Sequence, residues 1–429
     1  MRILWILNGC GLEGGSITGG PVRFHEISRR WQGRDCEQLL MTTLGGETML
    51  RGMGCSLDSV RVPASLLLRR EPIRAFRLWS YAVTSAFWDS KSKPIAAFLK
   101  GGDSVAITVS DYFCDINPAL RLKRRTGCRW IAWIHHRETP PSLRPGNRIV
   151  NTLTYRMQEW SLKQIARHAD SAWIYDTDAG DLVRERLLDF GMDPSRIRIM
   201  KCGVNVSEIE AAPEPAEKTF DAAMIGVRPN KGMYDIVPVW ERVAALRPGT
   251  TLRLMGGLSG EGAVLEEIKA RGLGEMISVF RPEGGFLPAS DYYAQIKTAR
   301  LLFAPSHEEG WGMAVCEAMA AGVPVVGYDL PVYRRIYGNA FLKVRCFDKD
   351  DFARNIVRLL DDQSLFDDFR RRGLACAASY GWDAIAASDW DAVVSFAAPR
   401  KSADIAVSGN MSESTFRTSP SSCDFARAH

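Results

Sequence analysis

Short apolar runs alternate with amphipathic stretches at helical spacing through most of this chain, the rhythm of a parallel-sheet α/β protein. Apolar runs at Ile3–Leu7, Val105–Val109, Arg129–Ile134, Ala172–Tyr175 and Arg196–Met200 predict strands. The first leads into a glycine-rich loop, Gly9 to Gly20, and then a helical pattern from Val22 to Trp31. Strand, glycine loop and helix in that order open a doubly wound domain. The rhythm stops at 206–219, where Ser207–Thr219 is polar and Pro-rich without apolar periodicity, as an interdomain linker would be. It restarts with strands predicted at Asp221–Ile225, Thr251–Met255, Ile277–Phe280, Leu301–Ala304 and Pro324–Tyr328. Helices are predicted between them at Met233–Leu246, Gly262–Arg271, Ser290–Thr298 and Gly312–Ala321. Helical patterns over Lys349–Leu374 and Trp382–Phe396 follow, and from Ala398 the chain has the composition of a disordered tail.

The expected layout is two doubly wound, Rossmann-like α/β domains facing a central cleft. The first covers 1–205, the linker 206–219 and the second domain 220–380. A helix at 381–397 returns to the first domain, and the tail covers 398–429. Ligands of open α/β sheets bind at the carboxyl edges of the strands, so the cleft should carry the chemistry. A length of 429 residues suits two domains, and a hydrophobic fraction of 46% excludes general disorder. Ten cysteines are scattered with no C-x-x-C pair, which points to a reducing, cytoplasmic setting. The apolar run after Arg2 is too short for a signal peptide, and no apolar stretch is long enough to cross a bilayer. The net charge of +5 is too small to suggest a nucleic-acid binder. It hides an asymmetry, because residues 61–150 carry 16 Lys/Arg against 6 Asp/Glu. Arg alternates with large aromatics between Leu66 and Trp88, and Arg121-Leu122-Lys123-Arg124-Arg125 adds a cluster. This segment reads as a surface for an anionic membrane or a lipid-diphosphate acceptor, or as an ordinary amphipathic helix with solvated Arg.

The stretch from Pro305 to Val326 reads as loop, glycine-rich turn, short helix, glycine C-cap and strand. Gly310 and Gly312 let the backbone approach a ligand, and free amides at the helix start favour a phosphate. Glu309 stands at the mouth of the turn and Glu317 on the helix. Either carboxylate suits sugar hydroxyls, and either equally offsets the helix dipole. The pattern Pro-Ser-x-x-Glu-Gly-Trp-Gly, with Glu317 eight residues past Glu309 and then Ala-Met-Ala-x-Gly-Val-Pro, resembles the donor-binding signature of glycosyltransferase family 4. That family comprises retaining, group 1 enzymes of GT-B fold. The resemblance implies that Glu317 holds the ribose of a nucleotide sugar and that Glu309 lies beside the transferred sugar. It also implies that backbone amides of Gly310, Trp311, Gly312 and Met313 meet sugar or phosphate.

Gly226-Val227-Arg228-Pro229-Asn230-Lys231-Gly232 resembles the family's diphosphate-gripping element. Cations there would stabilise the charge on a departing nucleoside diphosphate. The loop is shorter than the family's, and Arg228 stands only three residues before Lys231, so its reach to the diphosphate stays open. Gly19-Gly20 resembles the glycine pair of the first domain, and His135-His136 follows the strand after which the family carries a histidine. The resemblance implies a catalytic histidine near the reacting sugar carbon. His135, the first residue off the strand, is favoured for it, with His136 as its rival, and Glu309 is the other catalytic candidate. Weaker echoes are Ala169-Asp170 before a strand ending at Tyr175, then Thr177, and Cys202-Gly203-Val204-Asn205 before the linker.

Together these imply transfer of a hexosyl unit from a UDP- or GDP-sugar to a hydroxyl acceptor, a glycan or lipid-linked glycan in polysaccharide or glycoconjugate biosynthesis. They imply retention of configuration and no metal or other cofactor. Asp176-Thr177-Asp178 and Asp389-Trp390-Asp391 offer the competing metal–diphosphate reading, each as a short D-x-D match. A nucleotide-sugar epimerase of the same fold and a non-catalytic carbohydrate-binding protein are the alternatives.

Overall fold

The computed structural model describes residues 1–9, 19–62, 93–100, 103–142, 147–258, 261–281 and 287–397. Most of the glycine loop, the Leu66–Trp88 segment and the tail lie outside these described residues. Among them, seven parallel strands form the first sheet: β1 (Arg2–Leu7), β2 (Glu37–Thr43), β3 (Ser59–Val62), β4 (Ser104–Thr108), β5 (Arg129–Ile134), β6 (Ser171–Tyr175) and β7 (Ile197–Met200). Their order is β3-β2-β1-β4-β5-β6-β7, which reverses direction between β1 and β4. A second parallel sheet contains β8 (Phe220–Val227), β9 (Leu252–Leu258), β10 (Ile277–Val279), β11 (Ala299–Ala304), β12 (Val325–Tyr328) and β13 (Leu342–Val344). Its order, β10-β9-β8-β11-β12-β13, reverses between β8 and β11. Each sheet therefore has the switch point at which such folds bind ligands.

Burial explains why continuous apolar runs form these strands. Along β1, Ile3, Trp5 and Leu7 enter one core cluster, while Leu4 and Ile6 enter another on the opposite face. Both faces are covered by helices, so the strands need no polar side. Trp5 contacts Phe24, Trp31 and Trp133 with ring centroids 5.2–5.4 Å apart.

Three features differ from the pattern-based expectation. Val206–Ala211, the start of the expected linker, is a short helix whose Ile209 is fully buried. Its single apolar anchor was too short a signal for periodicity. Lys349–Leu374 is two helices, Lys349–Asp361 and Gln363–Ala378. Asp362 separates them and caps the second by accepting from the Leu365 amide at 2.9 Å. The sheets also contain β2, β3 and β13, which no run of strong apolar residues announces.

The helix Trp382–Ala397 returns to the first domain and packs on helix Gly19–Trp31. Trp31 Nε1 donates to the Ala386 carbonyl at 2.9 Å, Trp390 meets Trp31 edge-on, and Arg23 forms a buried ion pair with Asp389. The Arg23 guanidinium also lies 4.0 Å over Trp133. Helix Phe113–Thr126 ends at Gly127 in a left-handed cap immediately before β5. Its terminal Arg124 and Arg125 are therefore at the amino edge of the sheet, opposite the edge that faces the cleft. Among the described residues no helix is long and apolar enough to cross a membrane.

Candidate active site

The second domain supplies two loops and one helix terminus. β8 ends in Gly226-Val227, and Pro229–Lys231 then makes one 3-10 turn. A side chain at Gly226 would lie 3.6 Å from the Arg228 guanidinium and 3.9 Å from the Lys231 stem, so both cations flank the same piece of backbone. The shortened loop thus still brings Arg228 beside Lys231. Arg228 Nε is buried with no hydrogen-bond partner, an orphaned donor in a site expected to hold an anion.

β11 opens into the loop Pro305–Gly312. Glu309 forms an ion pair with Lys231, and the same oxygen, Oε1, accepts from Ser306 Oγ at 2.8 Å and Tyr333 OH at 3.2 Å. Gly312 has φ = +90°, and Tyr333 stands where its side chain would be, so only glycine fits. Tyr337 OH donates to the Gly312 carbonyl at 3.0 Å and fixes the turn from below. Helix Met313–Ala320 starts there with no side-chain cap, so no capping side chain competes with an anion at its first turn. A small cavity lies at this point, lined in part by Lys231, Ser306, Glu309, Ala314 and Tyr333. Trp311 is buried against Tyr337 and Tyr380, so its side chain belongs to the core and only its backbone serves the turn. Glu317 accepts from Tyr292 OH at 2.9 Å. Burial raises its carboxyl pKa, with Glu26 adding to the effect and Tyr292 and Lys231 opposing it.

The first domain supplies His135 at the end of β5. His135 Nε2 lies 2.6 Å from the Val109 carbonyl and Nδ1 3.0 Å from Tyr175 OH, which in turn is 3.0 Å from Cys202 Sγ. A carbonyl only accepts, so Nε2 carries the proton and Nδ1 accepts from Tyr175. Burial lowers the His135 pKa to about 4, and the nearby Arg23 charge pushes the same way. His135 is a neutral ring with both nitrogens engaged.

His136 is different. Its side chain is 38% exposed, and Nε2 stands 3.5 Å from Glu138 Oε1. Burial would lower its pKa, but Glu138, Asp111 and, from the second domain, Glu308 raise it instead.

The two halves meet here. A side chain at Gly20 would stand 3.0 Å from His135 Nε2, one at Gly19 3.4 Å from Met313 Sδ, and one at Gly310 3.5 Å from the His135 carbonyl oxygen. The structure therefore gathers Gly19, Gly20, His135, Lys231, Arg228 and the Glu309–Met313 turn around one cleft. Ser306, Tyr292, Tyr333, Tyr337 and Tyr175 were not singled out from sequence. Tyr333 and Tyr337 repeat at helical spacing beside other apolar residues, which reads as core. Both D-x-D matches have other partners: Asp176 pairs with Arg335, Thr177 caps helix Asp178–Asp189, and Asp389 pairs with Arg23. No group of three or more His, Cys, Asp or Glu suited to a metal ion occurs among the described residues.

Residues 206–374 match the family described as Glycosyl transferases group 1. That segment is therefore similar to group 1 glycosyltransferases, and the two parallel sheets have the GT-B fold. Among curated proteins, it is 29% identical over 249 residues to D-inositol 3-phosphate glycosyltransferase of Streptomyces scabiei (strain 87.22), covering 52% of this chain and 54% of that protein. It is 33% identical over 99 residues to O-antigen chain mannosyltransferase B of Escherichia coli, covering 23% of this chain and 26% of the other. The chain spans about half the length of the curated relatives it matches most extensively. Among solved structures, sucrose-phosphate synthase from Thermosynechococcus elongatus superposes with a TM-score of 0.68 at 15% identity, covering 92% of this chain and 98% of that one. Anabaena HepE in complex with UDP-glucose gives 0.67 at 13% identity, covering 92% and 100%.

Proposed function

We infer that the protein is a retaining glycosyltransferase that moves a hexosyl unit from a nucleoside diphosphate sugar to a hydroxyl acceptor. The observation that carries this reading is the convergence of Arg228, Lys231 and the uncapped start of helix Met313–Ala320 opposite the Gly19-Gly20 and His135 corner. Breaking the bond from sugar to phosphate leaves negative charge on the diphosphate. Two cations and first-turn amides brought to the same point stabilise that charge. Glu317, held by Tyr292, takes the ribose hydroxyls, and Glu309 takes hydroxyls of the sugar.

His135 has no free nitrogen, so it does not shuttle the acceptor proton. It holds up the glycine pair instead. The departing phosphate receives the proton as the acceptor attacks from the same face, which retains the configuration. The engagement of both D-x-D segments in ion pairs and caps supports a metal-independent reaction. The donor is a UDP- or GDP-sugar and no other cofactor takes part. The acceptor is a glycan or lipid-linked glycan in polysaccharide or glycoconjugate assembly, reached in the cytoplasm at the inner membrane face.

A thermal-shift series with UDP, GDP and ADP is the first test, because a bound ligand raises apparent stability. One nucleotide is expected to raise Tm. Its sugar conjugates then identify the donor, and NMR of the product reads the anomeric configuration. Failure of all three to bind would remove the reading, and an inverted product would remove its retaining mechanism.

A further inference from the structure

Lys231, the cation expected to grip the donor diphosphate, is occupied by Glu309 in this structure. Their side chains are only 15% and 8% exposed, so solvent screens the pair less than it would on the surface. The two partners are held unequally. Glu309 Oε1 also accepts from Ser306 and Tyr333, and Tyr333 is itself fully buried against the Gly312 turn. The Lys231 ammonium, by contrast, donates to Glu309 at the end of its side chain. The backbone beneath Lys231 is fixed, because a side chain at Gly232 would overlap the Pro305 carbonyl oxygen. The part free to move is the flexible four-carbon stem of the lysine.

We propose that Glu309 is a competing counter-ion for Lys231: the nucleoside diphosphate takes Lys231 from Glu309 on binding, and Glu309 recaptures it to help expel the product nucleotide. This rests on the reading of the site as a nucleotide-sugar site and adds a product-release role for the carboxylate beside the sugar. Anchored by Ser306 and Tyr333, Glu309 stays in place while the ammonium swings between carboxylate and phosphate. No proton moves in the exchange. One charge-assisted contact is traded for another, so the carboxylate lowers the affinity for the bare nucleotide.

The test is a double-mutant cycle read by calorimetry on the full chain, with whichever of UDP, GDP or ADP binds the wild type. Glu309→Gln is expected to tighten binding of that nucleotide about tenfold, and Lys231→Met to weaken it about tenfold. In the Lys231→Met background the gain from Glu309→Gln should largely vanish, because no lysine remains to be released. A gain that persists there would show simple repulsion between carboxylate and phosphate and overturn the proposal, as would no gain at all. Glu309→Asp withdraws the carboxylate by one methylene while keeping its charge. It should show a smaller gain in the same direction, and it serves if Glu309→Gln does not fold. If no nucleoside diphosphate binds the wild type or Glu309→Gln, the nucleotide-sugar reading itself has failed, a result distinct from binding without coupling.

Discussion

On the C-terminal side, Lys231, Glu309 and Glu317 sit on two adjacent loops and one short helix, and their partners Ser306, Tyr292 and Tyr333 lie in the same domain. On the N-terminal side, His135 is held by Val109, Tyr175 and, through Tyr175, Cys202, from strand ends far apart in sequence. The helix beneath the glycine pair is held in addition by Asp389, which belongs to the last helix of the chain. One site is assembled locally and the other through tertiary structure. The family match, confined to residues 206–374, covers the locally assembled side. A contiguous stretch carries its own geometry, whereas a site built from dispersed contacts depends on the whole fold.

If that contrast is right, the largest stability effect should come from the dispersed side. Arg23 is fully buried and Asp389 5% exposed, so Asp389→Ala strands a guanidinium away from water. The expected loss is about 3–5 kcal/mol by urea denaturation of the full chain, while replacing both by apolar residues should cost far less. A loss below about 1 kcal/mol would mean that the last helix does not clamp the glycine-pair helix.

On the local side the expected signature is reversed. Lys231→Ala should lower turnover about 100-fold, with a small change in unfolding midpoint, because Ser306 and Tyr333 still hold Glu309. Unchanged turnover, measured as nucleotide release with donor and acceptor present, would remove Lys231 from the chemistry.

The same contrast explains what was legible in the sequence. The strand–loop–helix rhythm showed both doubly wound sheets, because strands buried on two faces must be continuously apolar. Glu309, Glu317 and the glycine turn were legible because their spacing lies within one short segment. Strands β2, β3 and β13, at or next to the sheet edges, were not, since Glu37, Gln38, Arg61 and Lys343 dilute their apolar runs. Tyr175 and Cys202 carry no local signal of their link to His135, which exists only once β5, β6 and the residues after β7 are side by side. The short helix after Asn205 was hidden for the same reason: Ile209 alone anchors it, and its burial depends on the neighbouring domain.

The next effect is set by pH. His135 titrates at about 4 in the folded chain against 6.5 for the exposed group, so the unfolded state binds its proton first as pH falls. Stability is unaffected by this group above about pH 6.5 and declines as pH drops from there towards 4. Because the ring is not wholly excluded from solvent, the expected decline is about 2 kcal/mol, measured as the difference between wild type and His135→Gln in urea titrations at each pH. Asp115, wholly buried beneath the Asn8 and Gly9 amides, has its carboxyl pKa raised by burial from 3.8 to about 7. Its contribution has the opposite slope: present at low pH, it is lost as pH rises towards 7. Asp115→Asn should therefore steepen the acid sensitivity that His135→Gln removes. A single slope unaltered by either variant would contradict both assignments.

The smallest expected effect lies where the two domains touch at the surface. Arg335 of helix Pro331–Tyr337 pairs with Asp176 and Asp181 across from it, but these groups are 36%, 60% and 51% exposed. Water and salt screen such pairs, and holding long side chains in place costs entropy, so Asp176→Ala should change stability by less than about 1 kcal/mol. The variant is informative because Asp176 opens the D-x-D segment. If that segment held a divalent cation against the donor, Asp176→Ala would lower turnover by about 100-fold or more, and the remaining activity would respond to added Mg²⁺ or Mn²⁺. If Asp176 is only a surface partner of Arg335, turnover should stay within about twofold of wild type, with the same response to those ions and to a chelator. A large loss would move the chemistry from the local, C-terminal assembly to the end of β6, and with it the contrast between the two sides of the cleft.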